Sequence, residues 1–149
     1  MIAVVQRVSR ASVAVGEEIV GQIGPGLLAL VSVCQDDTER DVEWMARKLA
    51  GIRLFPQGEK AFHLDVCQAG GSILLVSNFT VAAATRQGRR PSFEAAAGAE
   101  KGGELFADLV EAVRALGVPT ETGSFGADMQ VSLVNDGPVT VIIDSSEAR

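Results

Sequence analysis

Two polar clusters stand where runs of strand-forming residues end, and they are the places where this sequence offers chemistry. The first is Ser77-Asn78-Phe79-Thr80, directly after the uncharged run Ile73-Leu74-Leu75-Val76. The second is Asn135-Asp136-Gly137-Pro138-Val139-Thr140, between the apolar runs 129–134 and 139–144. Active sites in sheet-based domains are assembled where buried strands deliver side chains to a surface. If strand geometry persists through the first cluster, Ser77 and Phe79 project to one face and Asn78 and Thr80 to the other. Each cluster also has a purely structural reading. Hydroxyls and amides at a strand end satisfy backbone groups, and Asn, Asp, Gly and Pro are the residues a plain hairpin turn selects. The second cluster nevertheless contains an X-Pro bond able to adopt cis at a cost of about 0.5 to 1 kcal/mol.

Other catalytic signatures are missing. There is no GxSxG elbow, P-loop, HExxH or dinucleotide GxGxxG after a strand. The single histidine, His63, lies between Phe62 and Leu64 in a loop-like region and reads as structural. Cys34 and Cys67 form no CxxC and cannot complete a usual zinc set with His63, so no metal and no cofactor are expected. Reduced thiols in a cytoplasm fit that cysteine usage. Thr80 stands where a nucleophile could, but no adjacent base is evident to activate it. A positioning role is the preferred reading, and covalent catalysis is the alternative. Arg86, Arg89 and Arg90 form a local basic group with two readings, a phosphate-binding site and a solvated loop.

The elements that must hold these residues follow from composition and periodicity. With 149 residues, 47% of them apolar and 21% charged, the chain suits one folded domain spanning 1–149. Thirteen Lys and Arg against nineteen Asp and Glu give a net charge of −6. That balance argues against a protein that coats long nucleic acid, and DNA is not an expected partner. The longest uncharged apolar run, 27–33, is far shorter than the roughly 20 residues of a membrane span. Arg7 and Arg10 sit inside an alternating pattern instead of ahead of an apolar block, so neither secretion nor membrane insertion is expected. Asn78-Phe79-Thr80 matches the glycosylation pattern by chance.

Residues 2–8 alternate as a strand with Ala3, Val5 and Arg7 on one face. Segments 12–15 and 18–23 flank Gly16 as a hairpin, and 27–33 follows Gly24-Pro25-Gly26, giving four strands before any helix. Asp36 or Asp37 would cap a helix with the stripe Val42, Met45, Ala46, Leu49 and Ile52. The stretch around Pro56 and Gly58 is irregular. Strand 73–76 is expected at the centre of a sheet, and 82–98 is a loop with a short helix at most. Leu105, Phe106, Leu109, Val110, Val113 and Leu116 mark a second helix that ends at Gly117 and Pro119. Segments 129–134 and 139–144 are two last strands. About eight strands and two main helices make an α+β unit.

At these residues the sequence resembles the D-aminoacyl-tRNA deacylases along nearly the whole chain. The resemblance is carried by Gln6-Arg7-Val8-Ser9-Arg10-Ala11-Ser12-Val13, by Ile23-Gly24-Pro25-Gly26-Leu27-Leu28 and by Gly88-Arg89-Arg90-Pro91-Ser92-Phe93. The unbroken block from Phe125 to Thr140 carries most of it. Two departures stand out. The family signature Ser-Gln-Phe-Thr-Leu is here Ser77-Asn78-Phe79-Thr80-Val81, an amide drawn back by one methylene. Lys60-Ala61-Phe62-His63 replaces the Gly-Lys-Met-Asn of many members.

The resemblance implies a three-layer β/β/α sandwich with mostly antiparallel strands, and a homodimer with two sites at the subunit interface. It implies hydrolysis of D-aminoacyl-tRNA and of glycine mischarged on tRNA, with no metal. Ser77, Asn78, Phe79 and Thr80 are then the catalytic group. Gly137, Pro138, Asn135, Thr140 and Arg7 are assigned to substrate binding and chiral selection. In the family the Gly-Pro bond is cis and enters the partner's pocket, facing the amino acid's α-carbon. An L side chain would meet that backbone wall, while a D side chain points away and glycine passes. Asn78 orients substrate or supports the pocket wall. Two other readings remain: a relative admitting small L-amino acids, and a non-catalytic RNA-end-binding or dimeric interaction module.

Overall fold

The computed structural model describes residues 1–86 and 88–148. Strand β1 (Ile2–Val15) is followed by β2 (Glu18–Ile23), β3 (Gly26–Ser32) and helix α1 (Glu39–Gly51). A small hairpin of β4 (Phe55–Gln57) and β5 (Lys60–Leu64) leads to β6 (Ser72–Ser77). Helix α2 (Ala99–Ala115), β7 (Thr120–Thr122) and β8 (Gln130–Asp144) complete the order. The main sheet runs β2-β1-β3-β6-β7, and β8 joins it along β1.

β1 organises the sheet. Its first half pairs with β3, from Ile2↔Ser32 to Val8↔Gly26, and its second half with β2, from Ala11↔Ile23 to Val15↔Glu18. β8 lies along its other edge, from Ile2↔Asp144 to Ala14↔Gln130. These pairings are antiparallel, whereas β6 is parallel to both β3 and β7. A parallel pair needs a long crossover, and the segments holding α1 and α2 supply the two.

The apolar residues separate into two layers. Ala3, Val5, Leu27, Ala29, Ile73 and Leu75 are buried against Val42, Met45 and Leu49 of α1 and Leu105, Leu109 and Val113 of α2. On the opposite face Leu28, Leu74 and Val76 are buried against Val8, Ala11, Val13 and Ile23. That second layer exists because the far half of β1 and β2 curl back across β6 and β7. Gly21 permits the approach, since a Cβ there would lie 2.3 Å from the Thr122 carbonyl oxygen. Helices, sheet and curled strands therefore form the expected α+β arrangement of three layers, with β6 covered on both faces. No helix among the described residues is long and apolar enough to cross a membrane.

Several local expectations need correction. Segments 2–8 and 12–15 are one strand, which keeps its pairing through shifts of register between Gln6 and Arg10. The alternation breaks there because the inward position moves from Val8 to Ala11. Segments 129–134 and 139–144 are likewise one strand, so Asn135 to Pro138 is not a hairpin turn. Neither Asp36 nor Asp37 caps α1. Thr38 does, and its N–H donates to Asp41 Oδ2 at 3.0 Å. Asp37 is buried, pairs with the Met1 ammonium and accepts the Cys34 N–H at 2.6 Å. Ile52 lies just beyond α1 as its C-cap. The stretch around Pro56 and Gly58 is the β4–β5 hairpin, which places His63 half-buried in β5, and β7 is a strand the periodicity missed.

Candidate active site

The first cluster leaves the sheet at the end of β6. Asn78 stays extended, its N–H donating to the Val31 carbonyl at 2.8 Å, and the chain then enters a 3-10 turn, Phe79–Ala82. Asn78 caps this turn: Oδ1 accepts the Thr80 N–H at 3.2 Å and also the Thr80 hydroxyl. A short polar side chain that reaches forward to an unpaired N–H is the ordinary basis of such a cap. The Phe79 carbonyl accepts Ser32 Oγ at 3.3 Å. The Phe79 N–H has no hydrogen-bond partner among the described residues.

Beside the turn lies a cavity of about 800 Å³, lined on one side by Ser77, Asn78 and Phe79 and on the other by Phe125, Met129, Val131 and Leu133. Of its lining side chains only Ser77 and Asn78 carry oxygen or nitrogen. With the Asn78 oxygen engaged by Thr80, the Asn78 Nδ2 donors and the Ser77 hydroxyl are its polar side-chain groups. Thr80 is exposed on the turn next to the cavity. Neither residue type nor periodicity marks Phe125, Met129, Val131 and Leu133 as part of the site. Only their inclusion in the long matching block points to them.

The second cluster is a protrusion from β8. Gln6 pairs with Thr140 and Val8 with Asn135, so Asp136, Gly137, Pro138 and Val139 all stand opposite the single residue Arg7. The extra residues bulge outward as in any strand that outnumbers its partner. Asn135 closes the base, with Nδ2 donating to the carbonyls of Arg7 and Val139, each at 2.9 Å. Arg7 fills the space beneath. Its Nη1 donates to the Leu54 carbonyl at 2.7 Å, and its Nε to the Asp136 carbonyl at 3.1 Å. Thr140 Oγ1 lies 3.4 Å from Gln6 Oε1. The Gly137–Pro138 peptide is cis, and both residues are exposed at the tip. The cavity of the first cluster is not lined by any residue from Asn135 to Thr140. Within one chain the two clusters are separate.

Arg86, Arg89 and Arg90 are exposed on the loop between the 3-10 turn and α2. Main-chain bonds between Ala84 and Ser92, at 2.8 and 2.9 Å, pinch its base. Phe93, just past that base, meets Phe79 edge-on with ring centroids 5.2 Å apart. None of the three arginines forms an ion pair among the described residues. Cys34 and Cys67 are free thiols, and burial pushes the Cys34 thiol up from its ordinary value. Among the described residues no group of three or more His, Cys, Asp and Glu is placed to hold a metal ion.

The profile of the family described as D-Tyr-tRNA(Tyr) deacylase matches residues 4–144. The chain belongs to this family. It is 53% identical over 149 residues to a D-aminoacyl-tRNA deacylase of Chloroflexus aurantiacus, covering 100% of this chain and 93% of that one. It is also 53% identical over 147 residues to a D-aminoacyl-tRNA deacylase of Desulfitobacterium hafniense, covering 99% of each. Among solved structures, one described as c-Myc DNA Unwinding Element Binding Protein superposes with a TM-score of 0.90 at 36% identity, over 97% of this chain and 98% of that one. A probable eukaryotic D-amino acid tRNA deacylase gives a TM-score of 0.80 over 95% and 97% of the two chains, and at 14% identity it shares the fold.

Proposed function

We propose that this protein hydrolyses the ester joining a D-amino acid, or mischarged glycine, to the 3′ end of tRNA, and spares L-aminoacyl-tRNA. The observation that carries this reading is a cavity lined by Phe79, whose main-chain N–H has no partner among the described residues, in a chain that presents a braced Gly137-Pro138 protrusion elsewhere on its surface. An aminoacyl ester is already activated. Its hydrolysis needs a positioned water, a donor to the carbonyl and a site where negative charge can develop. Water adds to the carbonyl carbon and the oxyanion accepts the Phe79 N–H. The intermediate then expels the ribose oxygen, which takes up the proton that water gives up, and free amino acid and tRNA leave. The neighbouring ribose 2′-hydroxyl assists in place of a side-chain base, in keeping with a site that has none.

Substrates carrying different D side chains share the terminal nucleoside, the ester and the α-carbon with its amino group. The fixed apolar cavity suits the common part, since bases stack on aromatic rings such as Phe79 and Phe125. Selectivity belongs to Gly137-Pro138, with Asn135, Thr140 and Arg7 as its support. For the protrusion to meet the cavity, it must come from a second copy. A homodimer is supported by β8, fifteen residues long and paired among the described residues with β1 alone, and by exposed Ile142 and Val134 on it. Arg86, Arg89 and Arg90 would meet tRNA phosphates near Phe79. The protein works in the cytoplasm without metal or cofactor, and its net charge of −6 speaks against DNA as a partner.

Parallel incubation with D-tyrosyl-tRNA and L-tyrosyl-tRNA tests the reading. The D form should be cleared and the L form spared. Clearance of L-alanyl-tRNA as fast as its D counterpart would give the chain to the L-admitting alternative, and clearance of neither to the non-catalytic one.

A further inference from the structure

Asn78 is where this sequence departs from its family signature, and the structure gives the shorter amide a definite task. Four successive N–H groups, those of residues 78 to 81, emerge where β6 ends. The Asn78 N–H is held by the Val31 carbonyl at 2.8 Å and the Val81 N–H by the Asn78 carbonyl at 3.2 Å. The Thr80 N–H is held by Asn78 Oδ1 at 3.2 Å. Phe79 alone keeps its N–H available. Asn78 Oδ1 also accepts a hydrogen bond from the Thr80 hydroxyl, so the oxygen of that exposed threonine is left with its lone pairs as an acceptor. An amide oxygen is no base. It can orient the hydroxyl but cannot remove its proton, which leaves Thr80 an acceptor and not a nucleophile.

We propose that Asn78 is a positioning residue of the deacylation site: its cap turns the Thr80 N–H and hydroxyl proton inward, reserving the Phe79 N–H for the ester carbonyl and the Thr80 oxygen as an acceptor toward substrate. The inference rests on the deacylase reading above. A glutamine carries its oxygen one methylene further out and is not a capping residue, so this chain holds its turn by a bond of its own.

The test is steady-state kinetics on D-tyrosyl-tRNA with the full chain, alongside thermal melting of each variant. Asn78→Ala should lower kcat about tenfold while KM stays within about twofold, because the cap acts on the reacting geometry and not on uniform binding. Asn78→Asp, whose carboxylate accepts the same two bonds, should recover kcat to within about threefold of the unmodified protein. Thr80→Val should lose rate and Thr80→Ser regain it, with no burst of acyl-enzyme in either. An Asn78→Asp variant as slow as Asn78→Ala, or an Asn78→Ala effect confined to KM, overturns the proposal, as does a burst that vanishes in Thr80→Val. An unmodified protein inert on D-tyrosyl-tRNA overturns the deacylase reading and this one with it. An active unmodified protein matched by a folded Asn78→Ala overturns this one alone.

Discussion

Arg7 holds Asp136 by both main chain and side chain: its Nε donates to the Asp136 carbonyl at 3.1 Å and lies 3.2 Å from the Asp136 carboxylate. The guanidinium is mostly buried, and its other arm reaches the Leu54 carbonyl, so one side chain ties β1, β8 and the segment before β4 together. A lysine is a point charge without that fork. Arg7→Lys should lower kcat/KM for D-tyrosyl-tRNA by about tenfold or more, whereas Asp136→Asn, which keeps the carbonyl bond, should cost no more than about threefold. Equal activity of Arg7→Lys and the unmodified protein would show that the protrusion needs no such brace.

Gly137 is the second point where the protrusion is sterically determined. Its φ is +142°, and a Cβ would lie 2.7 Å from the Val139 nitrogen and 3.3 Å from Arg7 Nη2. Gly137→Ala should therefore displace the tip, cutting D-aminoacyl-tRNA hydrolysis about a hundredfold or more while the melting temperature moves little, since the tip is exposed. Full activity of the variant would remove Gly137 from the site.

Assembly is checked by mass in solution. Sedimentation at assay concentration should give twice the chain mass. Ile142 is 74% exposed on a long edge strand, and Ile142→Arg should yield an inactive monomer with an unchanged far-ultraviolet spectrum. An active monomer would sink the cross-subunit site.

RNA binding is checked by salt. The arginines of the loop beside Phe93 have no acidic partners among the described residues to hold them in reserve. Arg89→Ala and Arg90→Ala together should weaken tRNA binding and flatten its salt dependence, by about one unit of slope for each phosphate that is no longer neutralised. An unchanged slope would return the loop to the solvent.

Chelation is the simplest experiment. The proposed chemistry uses a main-chain donor and water, and no group of candidate ligands converges among the described residues. Activity in excess EDTA should equal that in buffer. A loss restored by one divalent ion would require another mechanism.

The sequence alone marked the apolar runs that build the core and the two polar clusters that carry the site. Ile73 to Val76 had to lie inside because nothing in the run tolerates water, and Val42, Met45 and Leu49 had to share a helical face. Ser77 to Thr80 and Asn135 to Thr140 stand out by residue type alone. What they do to each other was decided by tertiary structure. A bulge and a hairpin turn select the same Asn, Asp and Gly, and only pairing with β1, more than a hundred residues away in the chain, makes β8 one strand with its extra residues opposite Arg7. Asp37 has the chemistry of a helix cap, yet the Met1 ammonium claims it and leaves Thr38 to start α1. The inward turn of the Asn78 oxygen, likewise, depends on the Val31 carbonyl holding the Asn78 N–H and on a 3-10 turn that no periodicity announces. Local propensity sets what a residue can bond to, and long-range pairing sets which of those bonds is available.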